Sequence, residues 1–238
     1  MHHYPQKITN SVEFIDDDLI TYAEFAARPH ADKVGTYWDV KDACVVNIKS
    51  TIKAHYILEQ DYTCCYCKQK IIVKHKGAWD AEHIIPKSKH PAFIFEPKNL
   101  AISCKDCNGA KLDQEVLVNS QVNHRVNFLE KSEDYIIVHP HIDDYDEHIE
   151  IRDNFLIYRG RTDKGVKTIV MCGLLRFGKD TNYSNVSATN IDEVTDSVSK
   201  VSNANNVDEQ YAALLELEHK VRMAIAKVYD IRSRKVQV

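Results

Sequence analysis

The 238-residue sequence lacks any uninterrupted apolar run close to the ~18 residues that a membrane-spanning helix needs. Its first ten residues, MHHYPQKITN, also lack the apolar core of a secretory signal. Both absences favour a cytoplasmic protein without a membrane partner. No internal repeat is visible, and a content of 44% hydrophobic and 28% charged residues is typical of an ordinary globular protein of one or two domains.

The chain also lacks an overall positive charge, since its formal net charge is −4. The charge is unevenly distributed. Residues 1–63 have a net charge of −4 and residues 112–238 one of −5, whereas residues 64–111 carry nine Lys or Arg against four Asp or Glu, a net of +5. This basic segment suits a local contact with phosphate groups and argues against extended coating of nucleic acid. A chance fluctuation of charge is the alternative.

Helical spacing of apolar residues recurs on both sides of the basic segment. It predicts a helix over 16–27, an amphipathic helix over about 40–60 with Asp39 as its N-cap, helical structure over 162–177 and a long helix over about 207–234. The apolar stripe of the last helix is expected to contact the core of the same chain rather than to form a coiled coil, because it covers only about three heptads.

The segments between these helices are expected to contain short strands and one loop. Residues 134–140 are predicted to form a strand, and residues around 152–154 to join two strands in a hairpin. Residues 179–206 are rich in Ser, Asn, Thr and Asp and predict a loop or weak helix. Three regions are expected. Residues 1–61 form an N-terminal helical region, and residues 62–115 form a small cysteine-containing core. Residues 116–238 form a C-terminal region that begins as α/β and ends as helix.

Four of the seven cysteines form two C-x-x-C pairs, Cys64 with Cys67 and Cys104 with Cys107. In a long chain without a secretory signal, such pairs favour a metal site over disulfides. Two C-x-x-C turns complete a tetrahedral sulfur site, which suits Zn²⁺. Protein ligands then fill all four positions, so the zinc is expected to be structural. A redox role for the pairs is the alternative.

The remaining three cysteines are not assigned to this site. Cys65 is an alternative to Cys64, but its spacing to Cys67 is wrong for a C-x-x-C turn. Cys44 and Cys172 lie on apolar helical faces, and both are expected to be buried.

Acidic, histidine and asparagine residues lie close to the cysteine pairs in the sequence, in the segments DAEHIIP (80–86) and NLAISCKDCNGAK (99–111). Asn99 follows His83 by 16 residues, and Asn108 follows Asn99 by nine. Together with the cysteines, these segments resemble the HNH family of ββα-metal nucleases. The resemblance implies an α+β fold, in which a small ββα-metal core stabilised by zinc is wrapped by N- and C-terminal helices.

The resemblance also implies a role for each matching residue. His83 would be the general base that deprotonates water, and Asn99 would brace the loop that carries it. Glu82 and Asn108 would bind one catalytic Mg²⁺ or Mn²⁺ through oxygen atoms. The family more often has Asp at the position of Glu82. Asp80, two residues earlier on the same face of the strand, is therefore a second candidate ligand.

Basic residues near this site are expected to contact the substrate. Lys111 lies one helical turn after Asn108, so both can face a DNA phosphate. Each of the remaining basic residues is by itself more typical of a solvated surface. The set that could hold the phosphate backbone is Lys68, Lys70, Lys74, His75, Lys76, Lys87, Lys89, His90 and Lys98. Trp79 is predicted to be a core residue rather than a base-stacking platform.

The implied function is a DNA endonuclease that hydrolyses phosphodiester bonds. A zinc-dependent module that binds nucleic acid or protein without cutting is the alternative, but binding alone has no use for His83 and its polar neighbours. A second resemblance, spread over 139–149 and 162–169, is to PtuB-like HNH effectors of Septu-type phage-defence systems, and it implies an ATPase partner protein. A restriction or mobile-element nuclease is the alternative within the enzyme class.

Overall fold

The α+β fold is confirmed in a computed structural model of the chain, which describes residues 4–73, 76–120, 127–152, 157–177, 196–218 and 220–221. The chain divides into two compact units, Met1–Gly178 and Lys179–Val238. This boundary falls inside the predicted region 116–238, and the three-region division of the sequence stays a prediction. Among the residues that the structure describes, no helix is both long and apolar enough to span a bilayer.

The first unit contains five α-helices and four strands among its described residues. The helices are α1 (Asp16–Ala26), α2 (Ala43–Glu59), α3 (Lys105–Lys111), α4 (Tyr145–His148) and α5 (Asp163–Met171). The strands are β1 (Trp79–His83), β2 (Leu100–Cys104), β3 (Ile149–Arg152) and β4 (Ile157–Gly160). Short 3₁₀ helices occupy His30–Asp32, Gly35–Asp39, Lys76–Ala78, Pro91–Phe93, Pro97–Asn99, Ser132–Asp134 and Leu174–Arg176. The strands form two antiparallel pairs, β1 with β2 and β3 with β4.

The two N-terminal helices form where the apolar spacing predicts them. α1 begins with three acidic residues, 16–18, where the helix dipole favours negative charge. The N-cap of α2 is Asp42, whose carboxylate accepts a hydrogen bond from the Cys44 backbone N–H at 2.9 Å. The prediction that Asp39 caps this helix is wrong, because Asp39 ends a separate 3₁₀ helix. Cys44 is exposed rather than buried, since the buried face of α2 begins at Val45.

α2 is the element that ties the N-terminal region to the rest of the first unit. Its side chains Ile48, Ile52 and Tyr56 are fully buried, and the helix packs against β1 and β2. The Tyr56 hydroxyl donates a hydrogen bond to the Pro97 carbonyl at 2.7 Å and accepts one from the Val12 N–H at 3.1 Å. This buried helix therefore holds both the N-terminal segment and the turn that leads into β2.

The predicted strand over 134–140 does not form. Within it, Tyr135 makes an isolated bridge to Leu117 and the Ile136 N–H bonds to the Val116 carbonyl at 2.8 Å, but two later backbone donors are taken by side chains. The N–H of Val138 bonds to the Thr168 hydroxyl at 2.8 Å, and the N–H of His139 to the Asp143 carboxylate at 2.7 Å. Donors that are satisfied in this way are not available for a ladder with another strand.

The predicted hairpin and the helix after it are confirmed. β3 pairs with β4 in a register that places Ile149 opposite Gly160, and the connecting residues 153–156 lie outside the described part of the chain. α5 begins at an N-cap, Thr162, whose hydroxyl accepts a hydrogen bond from the Gly165 N–H. Cys172 follows α5 and is buried, as predicted.

The second unit is described at 196–218 and 220–221. Residues 196–202 and 207–218 are helical, so the last predicted helix is confirmed as far as 218, and most of the remainder up to 234 lies outside the described residues. Val207 and Tyr211, at the start of its apolar stripe, are 79% and 64% exposed, and the prediction that the stripe contacts a core stays a prediction. The predicted loop over 179–206 lies mostly outside the described residues, apart from the helical stretch near its end.

Candidate active site and zinc site

The two C-x-x-C pairs converge on one buried cluster. The Sγ atoms of Cys64, Cys67, Cys104 and Cys107 all lie within 4.8 Å of one another. A tetrahedral zinc ion with Zn–S bonds of about 2.3 Å requires sulfur atoms about 3.8 Å apart. The distance between Cys67 Sγ and Cys104 Sγ is 3.9 Å. The donor set therefore fits a structural zinc ion, and the buried neighbour Cys65 is not part of it.

Backbone geometry explains how the cysteines meet. Cys104 ends β2 and Cys107 lies in the first turn of α3, so one strand-to-helix junction supplies two sulfur atoms. The first pair lies on a tight turn that is closed by a hydrogen bond from the Lys68 N–H to the Cys64 carbonyl at 3.1 Å. The Cys104 N–H in turn donates to Cys64 Sγ at 3.3 Å, which links the two turns directly.

Arg176 is a residue of the zinc site that sequence reasoning missed. Its Nη2 lies 3.2 Å from Cys107 Sγ and 3.6 Å from Cys104 Sγ. Zinc bound by four thiolates carries a net charge of about −2, so a guanidinium at this place compensates part of it. Arg176 follows Cys107 by 69 residues, and no local motif connects the two.

β1, β2 and α3 form the ββα arrangement that the HNH resemblance implies. The register of β1 and β2 places Trp79 opposite Cys104 and His83 opposite Leu100. Alternation along β1 turns Asp80 and Glu82 toward α3, and both make polar contacts with that helix. Trp79 is 1% exposed and belongs to the core, as predicted.

His83 is held at the end of β1 with one ring nitrogen engaged. Its Nε2 lies 3.1 Å from the Ile94 carbonyl oxygen. Because a carbonyl oxygen only accepts hydrogen bonds, Nε2 carries the proton and Nδ1 is left as the basic nitrogen. The side chain is 8% exposed, and this burial lowers the pKa of His83 to about 3. The imidazole is therefore unprotonated near pH 7 and can accept a proton, although a pKa this far below 7 also makes it a weak base.

Asp80 and Asn108 form the oxygen-bearing pair of the site. The Asn108 side-chain amide donates a hydrogen bond to Asp80 Oδ2 at 3.0 Å. Lys105 Nζ lies 3.0 Å from the other carboxylate oxygen of Asp80. Carboxylate and amide oxygens are the ligands that Mg²⁺ prefers, with water in the remaining positions. The chemistry of this pair therefore fits a hard divalent cation.

Glu82 lines the same cleft as Asp80 and Asn108, but it is only 2% exposed and its carboxylate is engaged in a buried polar cluster. Its carboxylate accepts hydrogen bonds from Lys111 Nζ at 2.7 Å and from the Tyr66 hydroxyl at 3.0 Å. Burial raises the pKa of Glu82, and the positive charge of Lys111 opposes that shift. Lys111 Nζ also donates to the His83 carbonyl at 3.0 Å. The structure thus brings Asp80, and not Glu82, into contact with Asn108.

The expectation that Lys111 contacts DNA does not agree with its position. Lys111 lies one turn after Asn108, as its spacing predicts, but its side chain is only 1% exposed. Its ammonium is occupied by the Glu82 carboxylate and the His83 carbonyl. Lys111 therefore stabilises the interior of the site, and its contact with β1 fixes the backbone at His83.

Asn99 holds the loop that follows β1. Its Oδ1 accepts a hydrogen bond from the Ile85 N–H at 2.7 Å. Its Nδ2 donates to the carbonyl oxygens of Ile85 and Phe93 at 3.2 and 3.0 Å. Three bonds from one buried amide thus connect the start of β2 to both ends of the loop that carries the Ile94 acceptor of His83.

A cleft of about 650 Å³ opens beside these residues. His83, Asp80 and Asn108 line it together with Trp38, Lys49 and Lys53. The last three belong to the N-terminal region, and no sequence motif identifies them. The cleft is therefore formed by the ββα core on one side and by the N-terminal helices on the other.

The basic residues around the core differ in exposure. Lys68 and His90 are buried, which contradicts the expectation that they face phosphate. Lys68 Nζ lies 4.6 Å from the centre of the Tyr145 ring, and His90 Nε2 lies 3.6 Å from Glu115. Three lysines form ion pairs, Lys70 with Asp61, Lys87 with Asp39 and Lys98 with Glu130. Lys89 is exposed, whereas residues 74 and 75 and the side chain of residue 76 lie outside the described part of the chain.

Comparison with known proteins supports the class of this site. Residues 64–114 match the family model for HNH endonuclease. The matched segment begins at the first zinc-site cysteine and ends just after α3, so it contains the whole ββα core. Residues 64–114 are therefore similar to the HNH endonuclease domain, which defines a class of nucleases. No match was found among curated proteins or among solved structures.

Replacing Lys111 by Met is expected to lower the free energy of unfolding by about 3–5 kcal/mol, because it leaves the buried Glu82 carboxylate without its partner. Urea unfolding followed by circular dichroism measures this. The double variant Lys111→Met/Glu82→Gln should recover part of the loss. Lys105→Met is the matched control, since this lysine lies on the same helix and is 62% exposed. A Lys111→Met protein as stable as the control would contradict the assignment.

Proposed function

We propose that this chain is a metal-dependent HNH endonuclease that hydrolyses phosphodiester bonds of DNA. One observation carries the proposal: the neutral His83 imidazole and the Asp80–Asn108 pair line the same cleft. Hydrolysis requires an activated water and stabilisation of charge at the phosphate, and these residues offer one group for each task. The match of residues 64–114 to the HNH family supports the same reaction class.

In the proposed mechanism, His83 Nδ1 accepts a proton from water as the water oxygen bonds to phosphorus and the ester bond between phosphorus and the leaving oxygen breaks. The leaving oxygen then takes a proton from solvent water. The Ile94 carbonyl fixes the tautomer that leaves Nδ1 unprotonated, and Asn99 holds the loop that presents this carbonyl. Asp80 and Asn108 would hold Mg²⁺ or Mn²⁺, with Asp80 as the carboxylate ligand in preference to Glu82. When bound there, the cation supplies positive charge next to the scissile phosphate and the leaving oxygen.

Cleavage of supercoiled plasmid is expected to require added Mg²⁺ or Mn²⁺, and Asp80→Asn is expected to lower the rate by about 10²-fold or more. The assay follows nicked and linear products while zinc content is measured separately. Omission and re-addition of the cation, with zinc unchanged, distinguishes the second metal from the structural one. Asp61→Asn is the control, because this exposed carboxylate does not line the cleft.

The alternative of a zinc-dependent binding module makes the opposite prediction. Such a module would shift DNA in a gel and never cut it with any divalent cation, in supercoiled, linear or single-stranded form. Zinc-loaded protein that binds but does not cut, and that no co-expressed partner activates, would refute the nuclease proposal.

We further propose that the nuclease is a cytoplasmic phage-defence effector that acts with an ATPase partner protein. The support is the resemblance of residues 139–149 and 162–169 to PtuB-like effectors, together with the acidic segments that flank the basic core. Pull-down of the tagged chain from its native operon should recover an ATPase. Full, sequence-specific activity of the chain alone would favour a restriction or mobile-element nuclease.

A further inference from the structure

The 3₁₀ helix Gly35–Asp39, which lies outside the HNH match, is fixed against the loop that follows β1. A Cβ atom at Gly35 would lie 2.7 Å from the Lys87 carbonyl oxygen, so the two backbones are in contact at a place where only glycine fits. Lys87 Nζ reaches back to the Asp39 carboxylate at 3.0 Å and to the Gly35 carbonyl at 3.4 Å. These contacts attach this N-terminal segment to the catalytic side of the HNH core.

Trp38 is the residue of this helix that reaches the proposed base. The centres of its ring and of the His83 ring are 4.4 Å apart, with the planes nearly perpendicular at 84°. On its other sides, the indole packs near Phe95 at 5.8 Å and lies 5.4 Å from Lys49 Nζ. Lys49 also donates a hydrogen bond to the Trp38 carbonyl at 2.9 Å. Trp38 is therefore held through both its main chain and its ring.

A hydrogen bond at one ring nitrogen restricts the His83 ring at a single point, so packing against Trp38 is needed to fix its orientation. The bond from Nε2 to the Ile94 carbonyl is its one hydrogen bond among the described residues. The torsion that turns an imidazole about its Cβ–Cγ bond is broad and roughly two-fold, so one hydrogen bond leaves rotation about that bond weakly restricted. A rigid aromatic ring whose centre lies 4.4 Å from the centre of the imidazole excludes alternative ring positions by steric contact.

We propose that Trp38 is a positioning residue of the nuclease, which fixes the ring orientation of His83 so that Nδ1 stays available in the cleft. The proposal rests on the proposed function insofar as His83 is the base. It assigns part of the active site to the N-terminal region, since Trp38, His83 and the Asp80–Asn108 pair line one cleft. A base displaced by about 1 Å can cost roughly 10²-fold in rate, so the indole acts on the reaction through geometry.

The test compares Trp38→Leu with Trp38→Phe in DNA cleavage kinetics. Trp38→Leu is expected to lower kcat by about 10–100-fold with KM changed less than about two-fold, since the residue positions the base rather than the substrate. Trp38→Phe keeps an aromatic edge and should retain kcat within about five-fold. Tyr37→Phe is the control, because Tyr37 lies on the same helix and packs against Phe25. Unchanged kcat in Trp38→Leu would overturn the proposal. A higher kcat would do so too, because Trp38 would then be a cover over the base.

A second measurement separates this proposal from the nuclease proposal itself. Long-range ¹⁵N–¹H spectra of histidine-labelled protein, with His83 assigned from a His83→Asn variant, report which ring nitrogen carries the proton. The wild type should show one Nε2–H tautomer at His83, and Trp38→Leu should show exchange or a mixture. If the wild type never cuts DNA, this readout still decides the role of Trp38. An unaltered His83 signal in zinc-loaded Trp38→Leu protein would refute that role.

Discussion

Replacement of His83 by alanine is expected to lower the rate of DNA cleavage by about 10²–10⁴-fold, the usual contribution of a general base. The structure gives the reason: Nε2 is protonated and held by the Ile94 carbonyl, so Nδ1 is the nitrogen that can accept a proton. Burial keeps the ring neutral near pH 7. Single-turnover cleavage of a labelled duplex at saturating Mg²⁺ or Mn²⁺ measures the effect on the chemical step.

The loss must be shown to arise from chemistry rather than unfolding. His83→Ala removes a buried ring beside Trp38, whereas His83→Asn replaces that ring by a smaller planar amide that is polar but not basic. Both variants should bind one zinc ion and keep the circular dichroism spectrum of the wild type. His30→Ala is the matched control, since this residue does not line the cleft. Cleavage by His83→Asn at the wild-type rate would remove His83 from the mechanism.

The part of the site that the sequence predicts is the part built from short-range geometry. A C-x-x-C turn places two sulfur atoms on one side of the chain, so the spacing of the cysteines predicts the four-sulfur cluster that the structure contains. Alternation along β1 likewise predicts that Asp80 and Glu82 share one face of the strand. The spacing of residues along the sequence does not, however, predict which side chains are buried. Lys111 lies on the expected face of α3, but its acceptors on β1 hold its ammonium in the interior.

The residues that the sequence did not predict reach the site through tertiary packing. Trp38 precedes His83 by 45 residues, and Arg176 follows Cys107 by 69, so no local motif links either to its partner. The predicted strand over 134–140 fails to form for the same reason, because contacts with residues outside this segment determine its structure. Its apolar pattern is typical of a strand, but side-chain acceptors at Thr168 and Asp143 take the backbone donors of Val138 and His139.

The residues predicted from local motifs and those brought in by tertiary packing have different proposed roles in the site. In the proposed nuclease, residues 64–114 would supply the catalytic groups and the zinc ligands at the junction of β2 and α3, and the flanking segments would supply residues that contact both sets. Arg176 lies against the zinc-site sulfurs from the C-terminal side, and Trp38 lies against His83 from the N-terminal side. A fragment limited to 64–114 would lack both contacts. We nevertheless expect the folding of the core to depend most on the zinc site.

Replacement of Cys104 by serine is expected to abolish zinc binding and to unfold the HNH core. Structural zinc sites supply about 10–16 kcal/mol of apparent binding free energy, more than a small domain has in reserve. Cys104 is both a ligand and the junction of β2 with α3, so its loss also separates the strand from Asn108. Zinc content by a chromogenic chelator, together with circular dichroism and thermal unfolding, should report the loss of metal and of structure at the same time.

The matched control is Cys44→Ser, which changes an exposed cysteine outside the cluster and should leave zinc content and melting temperature unchanged. Arg176→Met should give an intermediate result, in which zinc binds but is released to a chelator faster, because the thiolates lose a compensating charge at 3.2 Å. This graded series distinguishes a ligand from a residue that supports the ligands. A Cys104→Ser protein that keeps one zinc ion and the wild-type spectrum would show that the four-cysteine cluster does not hold the core together.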